Sequence, residues 1–486
     1  MAFVLAIDQG TTNSKALLID EAGAVVARAS APVGVSYPQP GWVEQSADDL
    51  RRSVVDVATR AATAAEGGRI AAIGISNQRE SVLVWDRRSG RPIGPCITWQ
   101  CRRSAERIAA LRTPEFEREV AALTGLGLDP LFPAAKLAWL LDAFPEARGL
   151  AAAGDLCAGT VDAWLVFNLT GGKVHATDFS NASRTQLFDI RTGSWSPELA
   201  STFDVPLNIL PEPRASDGDF GVTRDGSGLP AGIPIRAVMG DSHAALFGHG
   251  VRAPGPVKAT YGTGSSLMTL TEGPVASRHG LSTTIAWRRG ERTSYALEGN
   301  ITVSAQAAAW TAALLGLKDA AALTELAKTV PDSGGAVFVP ALAGLGAPHW
   351  RDSARAIFAG LSFGTTPAHL ARATLEAIAL QVRDVFVALE QDAGRPLDSL
   401  SVDGGATANE FLMQLQADVL DRPVVRKAVS ELSAAGAAVM AGAAAGLWDD
   451  AGPAAIAAAR DRFTPVMEAE TRAALLRNWA AALGKA

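Results

Sequence analysis

The chain has 486 residues, 48% of them hydrophobic, and 50 acidic against 44 basic side chains for a net charge of −6. That length and apolar content predict two to four domains with well-buried cores, and the acidic balance speaks against nucleic acid or an anionic membrane as partner. No apolar run approaches the ~20 residues of a membrane span, the first one stops at Asp8, too early for a signal-peptide core, and Cys96, Cys101 and Cys157 lack metal-site spacing and read as free thiols of a reducing cytoplasm.

Phe3 to Ile7, Ala16 to Asp20 and Val25 to Ala31 read as three consecutive strands. The first turn, Asp8-Gln9-Gly10-Thr11-Thr12-Asn13-Ser14-Lys15, carries far more hydrogen-bonding groups than a hairpin needs. Ser46 is placed to cap a helix over 47–65. Strands follow at 71–76 and 82–85, and helices at 102–111, 133–142 and 161–169. A second strand-turn-strand then begins, with Lys258 to Tyr261 and Leu267 to Leu270 flanking Gly262-Thr263-Gly264-Ser265-Ser266. Strands at 282–287 and 293–297 and helices at 303–315, 320–328 and 367–391 come next. Leu400 to Asp403 is a strand running into Gly404-Gly405, followed by a helix over 409–420 and a terminal helical segment over 454–486. The repeated order predicts two α/β domains of one design, 1–250 and 251–486, divided where Gly248-His249-Gly250 and Pro254-Gly255-Pro256 break the pattern.

The chain has no Gly-x4-Gly-Lys-Ser/Thr loop and no Gly-x-Gly-x-x-Gly after a strand, so phosphate binding needs another scaffold. The two Gly/Thr turns supply one: small residues leave backbone N–H groups open to an anion, and hydroxyls add donors. Asp8, at a strand end, suits a magnesium ion, which takes carboxylate, water and phosphate oxygens. Taken singly, either hairpin is equally served as a solvated turn with an incidental acid.

Read together, "DQGTTNSK", "YPQPGWVEQ", "GISNQRE", "ITWQCRR", "TDFSNASRT", "GDSHAALFG", "TYGTGSS", "YALEG", "GLGAPHW", "ATLEAIALQVRDV" and "VDGGATANEFLMQLQADVL" resemble the FGGY carbohydrate kinases through nearly the whole chain, most closely the glycerol kinase branch. The resemblance implies two actin-like (ribonuclease H-like) domains with the active site in the cleft between them. It implies phosphate transfer from ATP, with Mg2+, to a terminal hydroxyl of a small polyol or sugar. Thr11, Thr12, Asn13 and Lys15 match the first phosphate loop, Gly262, Thr263 and Gly264 the second, and Gly405 and Asn409 the adenosine side. Asp8 and Asp241 match the carboxylates at the metal. Arg79 and Glu80 match residues that hold vicinal hydroxyls, a donor fork beside an acceptor, and Trp99 an aromatic on the polyol's carbon face. Asp241 is the expected catalytic base, since an alcohol is a poor nucleophile until its proton is taken. Each has an ordinary alternative: a surface ion pair for Arg79 and Glu80, a core position for Trp99, a helix N-cap for Asp241.

Three pocket positions depart from glycerol kinases: Leu131 stands for a Tyr, Ser242 for a Gln and Ser266 for a Phe. Each swap shortens the side chain, so the pocket is expected to hold glycerol loosely or to admit a four- or five-carbon polyol or ketose. Ala309 replaces a Gln near the nucleotide, and "RDGSGLPAGIP" lacks the Gly-Gly-Thr-Arg loop through which some glycerol kinases bind a sugar bisphosphate. Two other classes compete. A serine hydrolase built on Ser242 leaves both phosphate loops unexplained, and an actin-like ATPase leaves "SNQRE" and "WQCRR" without a use. The oligomeric state, dimer or tetramer included, is left open.

Overall fold

The computed structural model describes residues 1–486 apart from Ala457. Ala2–Gln9 and Asn13–Asp20 form the first hairpin, with Asp8 opposite Lys15. Phe3 to Ile7 are all buried, because this strand is covered on both faces. Phe3, Leu5 and Ile7 pack with helix Ala47–Ala62, while Val4 and Ala6 point the other way into helix Leu432–Ala444. Ser46 does cap the first of these helices, accepting from Asp49 N–H at 3.2 Å.

The first sheet runs Ile235–Gly240, Arg69–Asn77, Ala2–Gln9, Asn13–Asp20, Val25–Pro32. Its first three strands are parallel and the rest antiparallel. The second sheet repeats the motif: Pro256–Tyr261 is antiparallel to Ser265–Thr271 and parallel to Ser399–Asp403. In both sheets a Gly/Thr hairpin therefore opens beside the end of a parallel strand. A smaller sheet centred on Val82–Asp86, paired with Leu156–Thr160, carries the segment that bears Trp99.

Helix Leu432–Ala444 crosses from the second half of the chain onto the first sheet. Its contact with helix Asp241–Gly248 is backbone against backbone: a Cβ on Gly436 would lie 1.8 Å from the Ala244 carbonyl oxygen. The terminal segment departs from the all-helical expectation. Between Ala454–Ala457 and Ala469–Leu483 lies a strand, Ala459–Phe463, paired antiparallel with Val424–Lys427 at the sheet edge. Its charged sequence hides it from an apolar pattern, as edge strands often are charged, and Asp461 is held by Arg426 at 2.5 Å. Among the described residues no helix is long and apolar enough to cross a membrane, and the three cysteines are free and buried.

Candidate functional site

Asp8 ends the first strand, and the loop beyond it is drawn tight by Gly10 N–H donating to the Asn13 carbonyl at 2.9 Å. Thr12 and Asn13 stay exposed at its tip, while Thr11 is half-buried. Behind the tip, Gln45 Nε2 donates to the Thr11 carbonyl at 2.8 Å and Gln78 bonds both Gln9 and Gln45, so buried amides fix the loop from below. The second hairpin closes with Gly262 N–H on the Gly264 carbonyl at 2.9 Å, and Gly262 and Thr263 are exposed. A Cβ on Gly264 would come 2.3 Å from the Ile301 carbonyl oxygen, so only glycine fits.

Three strand ends bring Asp8, Asp241 and Asp403 within electrostatic range of one another. Burial pushes the Asp8 carboxyl up to about 6 and the two other carboxylates add to this, against a hydrogen bond from Ser76 Oγ at 2.9 Å.

Gly405 and Asn409 border a cavity of about 500 Å³ lined also by Ala305, Ala308, Thr324 and Phe411. Among the described residues, none beyond its chain neighbours lies within 4 Å of where a Cβ on Gly405 would point. Its neighbour Gly404 is required by the turn, with φ 94° and the Tyr261 carbonyl oxygen 2.3 Å from a would-be Cβ. Asn409 is partly committed elsewhere: its Oδ1 caps helix Glu410–Leu420 through Leu412 N–H and its Nδ2 donates to Thr324 Oγ1 at 2.8 Å, leaving one amide N–H. Ala309 is exposed on helix Ala305–Leu314, beside the cavity's Ala305 and Ala308.

Arg79 and Glu80 are not a surface pair. They are 8% and 5% exposed, and Glu80 is held at φ 60°, a costly conformation for a non-glycine residue. Arg79 Nε donates to Asp241 Oδ1 at 3.1 Å and its Nη2 lies 2.7 Å from Glu298 Oε1. Glu80 is held by Arg184 Nε at 2.6 Å, and Arg184 Nη2 lies 3.1 Å from Glu298 Oε2. Glycine at 240 lets the arginine stem cross the strand end, since a Cβ there would lie 2.7 Å from Arg79 Cδ. Arg184 and Glu298 were not singled out from the sequence. Neither was Lys136, a fully buried lysine that donates to the carbonyls of Glu80 (3.3 Å) and Leu131 (2.5 Å). Burial drives its ammonium down to about 7.

Asp241 is the first residue of helix Asp241–Gly248, and the N-cap position falls to Gly240 instead. Its Oδ1 accepts from Ser242 N–H at 2.6 Å and from Arg79, while Oδ2 carries no hydrogen bond among the described residues. The side chain is 37% exposed. Burial of its surroundings and the Glu80 charge raise its proton affinity, against Arg79. Ser242 Oγ lies 3.3 Å from Ser266 Oγ, whose hydroxyl in turn donates to Glu298 Oε1 at 3.2 Å. The two shortened positions thus meet each other across the domains. Leu131 is half-buried. Trp99 is 37% exposed rather than core, and its Nε1 donates to Thr11 Oγ1 at 2.9 Å, linking this region to the first hairpin.

The family model for the N-terminal domain of the FGGY family of carbohydrate kinases matches residues 3–248, and that for the C-terminal domain matches 257–445. A glycerol kinase from Trichlorobacter lovleyi is 48% identical over 99% of this chain and 97% of its own length. An apulose kinase from Pectobacterium atrosepticum is 49% identical over 92% of this chain and 90% of its own. The crystal structure of Plasmodium falciparum glycerol kinase with ADP superposes with a TM-score of 0.94 at 30% identity, covering 100% of this chain and 98% of that one. With two actin-like α/β domains and a cleft lined from both, the chain belongs to the FGGY family of carbohydrate kinases, ATP-dependent phosphotransferases with an alcohol group as acceptor.

Proposed function

We propose that the enzyme phosphorylates a terminal hydroxyl of a small polyol or ketose, and that four- or five-carbon acceptors rival or exceed glycerol. The observation that carries this reading is Asp241, fixed through Oδ1 and unengaged at Oδ2, beside a buried lattice of two arginines and two glutamates. Asp241 takes the acceptor's hydroxyl proton as the new O–P bond forms and the bond from the γ-phosphorus to the β-bridging oxygen breaks, releasing ADP. The Arg79 fork and the Glu80 carboxylate hold the neighbouring hydroxyls, and the exposed Trp99 ring covers the carbon face.

Thr11, Thr12, Asn13 and Lys15 grip the phosphates from one domain, and Gly262, Thr263 and Gly264 from the other. The cavity at Gly405 and Asn409 takes the adenosine, in keeping with the ADP in the Plasmodium falciparum structure. The carboxylates suit Mg2+: Asp8 is half-buried near two further acids, a crowding of negative charge that a hard cation offsets. Asp8 and Asp241 would hold it, and its chemistry there is to neutralise phosphate charge. The reaction belongs in the cytoplasm, where ATP is at hand and the buried thiols stay reduced.

The substrate wall supports the longer acceptor. Ser242 and Ser266 replace two bulkier groups with a pair of hydroxyls, and the 49% identical relative is an apulose kinase. ADP release measured over glycerol, erythritol, erythrulose, xylulose, ribulose and apulose tests this. At least one longer acceptor is expected to match or exceed glycerol in kcat/KM. A strong preference for glycerol over all of them returns the enzyme to plain glycerol phosphorylation.

A further inference from the structure

We propose that Glu298 is a positioning residue for the transfer: from the second domain it holds Arg79 against Asp241 and, through Ser266 and Ser242, closes a hydrogen-bonded ring across the two domains. The inference rests on Asp241 being the base. The ring is continuous. Asp241 Oδ1 accepts from Arg79 Nε at 3.1 Å, and Arg79 Nη2 reaches Glu298 Oε1 at 2.7 Å. Ser266 Oγ donates to the same Oε1 at 3.2 Å and lies 3.3 Å from Ser242 Oγ, while Ser242 N–H returns to Asp241 Oδ1 at 2.6 Å.

Each domain supplies part of it. Arg79, Asp241 and Ser242 come from strand ends and the helix start of the first sheet, Ser266 and Glu298 from two paired strands of the second, where they are offset by two residues in register. Glu298 is fully buried at its side chain, and its second oxygen faces Arg184, which in turn fixes Glu80. One carboxylate therefore orients the guanidinium beside the base and the guanidinium beside the acceptor-side acid. Arg79 can take this place only because residue 240 is glycine. Ser266 and Glu298 belong to the second sheet, so a separation of the domains would take from Arg79 the partner that fixes its plane. The setting of the Asp241 carboxylate for proton transfer thus depends on groups from both domains.

Both Ser266 and Glu298 act through Arg79 and Asp241, so their effects must not add to the loss of the base. The test is a cycle in the full chain, with Glu298→Gln, Asp241→Asn and the double variant, each checked for folding by circular dichroism. Glu298→Gln should lower kcat by about tenfold or more with KM for ATP unchanged, and Asp241→Asn by ~10²-fold or more. The double variant should lose no more than Asp241→Asn alone, within about threefold. Losses that multiply, or a Glu298→Gln enzyme with normal kcat, overturn the positioning role while leaving the base intact. Normal turnover in Asp241→Asn overturns the base and this inference with it. If Glu298→Gln fails to fold, Ser266→Ala carries the same cycle: a lower kcat that vanishes in the Asp241→Asn background supports the ring, and an unchanged kcat or a multiplicative loss contradicts it.

Discussion

In the proposed acceptor pocket Ser266 stands where a phenylalanine ring would press on the acceptor, and its hydroxyl bonds Ser242 and Glu298. A methylene-sized contact is worth ~1–3 kcal/mol of discrimination. Ser266→Phe should accordingly raise the ratio of glycerol to five-carbon kcat/KM by about tenfold or more, and an unchanged ratio in competition assays would remove the residue from specificity. Lys136 makes a second prediction. It binds its proton less tightly in the fold, at about 7, than in the unfolded chain, at ~10.4, so the unfolded state holds more protons between these values and stability owed to this group rises with pH across that window. The unfolding free energy of the wild type relative to Lys136→Met should therefore grow from about pH 7 to about pH 9 in denaturant titrations; a difference that shrinks would contradict the assignment. The residues reached from the sequence, Arg79, Glu80 and Asp241, sit inside short polar motifs at strand ends. Arg184, Glu298 and Lys136 are single charges with no motif of their own, and only the approach of distant segments gives them partners. The one available signal was an acid inside the otherwise apolar strand "YALEG", where an unpaired carboxylate is too costly to bury.

The hairpins were legible because alternation stops at a cluster of glycine and hydroxyl residues, a pattern with a local cause. Helix Leu432–Ala444 is a different case: it is buried almost all round, so no stripe in its sequence says which sheet it covers. Its three-dimensional role is carried by Gly436, against the Ala244 carbonyl, and by the approach of Ala437 to Gly74, where a Cβ would lie 2.2 Å from the Ala437 oxygen. Gly436→Ala must push the two helices apart, and overpacking of this kind costs ~1–3 kcal/mol or more. A clearly lower thermal midpoint is expected, and an unchanged one would mean that the crossing is looser than the backbone contact implies. The edge strand Ala459–Phe463 escaped notice for the opposite reason, since exposure on an edge permits charges that erase strand alternation.

Across the whole molecule, the proposed phosphate ligands, acceptor ligands and base are divided between two domains joined by the crossing helices. In the proposed reading Thr11 and Thr263 grip one nucleotide from opposite domains, and closure of the domains on it would exclude the water that otherwise takes the phosphate. Solution scattering should show a smaller radius of gyration with nucleotide and acceptor together than with neither, whereas an identical profile at saturating ligand would argue against closure. The most direct test of phosphate transfer to an acceptor is the fate of the phosphate itself. With ATP, Mg2+ and a five-carbon ketose or polyol, phosphorus NMR should show a phosphate ester of the acceptor's terminal hydroxyl growing in step with ADP. Inorganic phosphate as the sole product, formed at a rate indifferent to the acceptor, would contradict it.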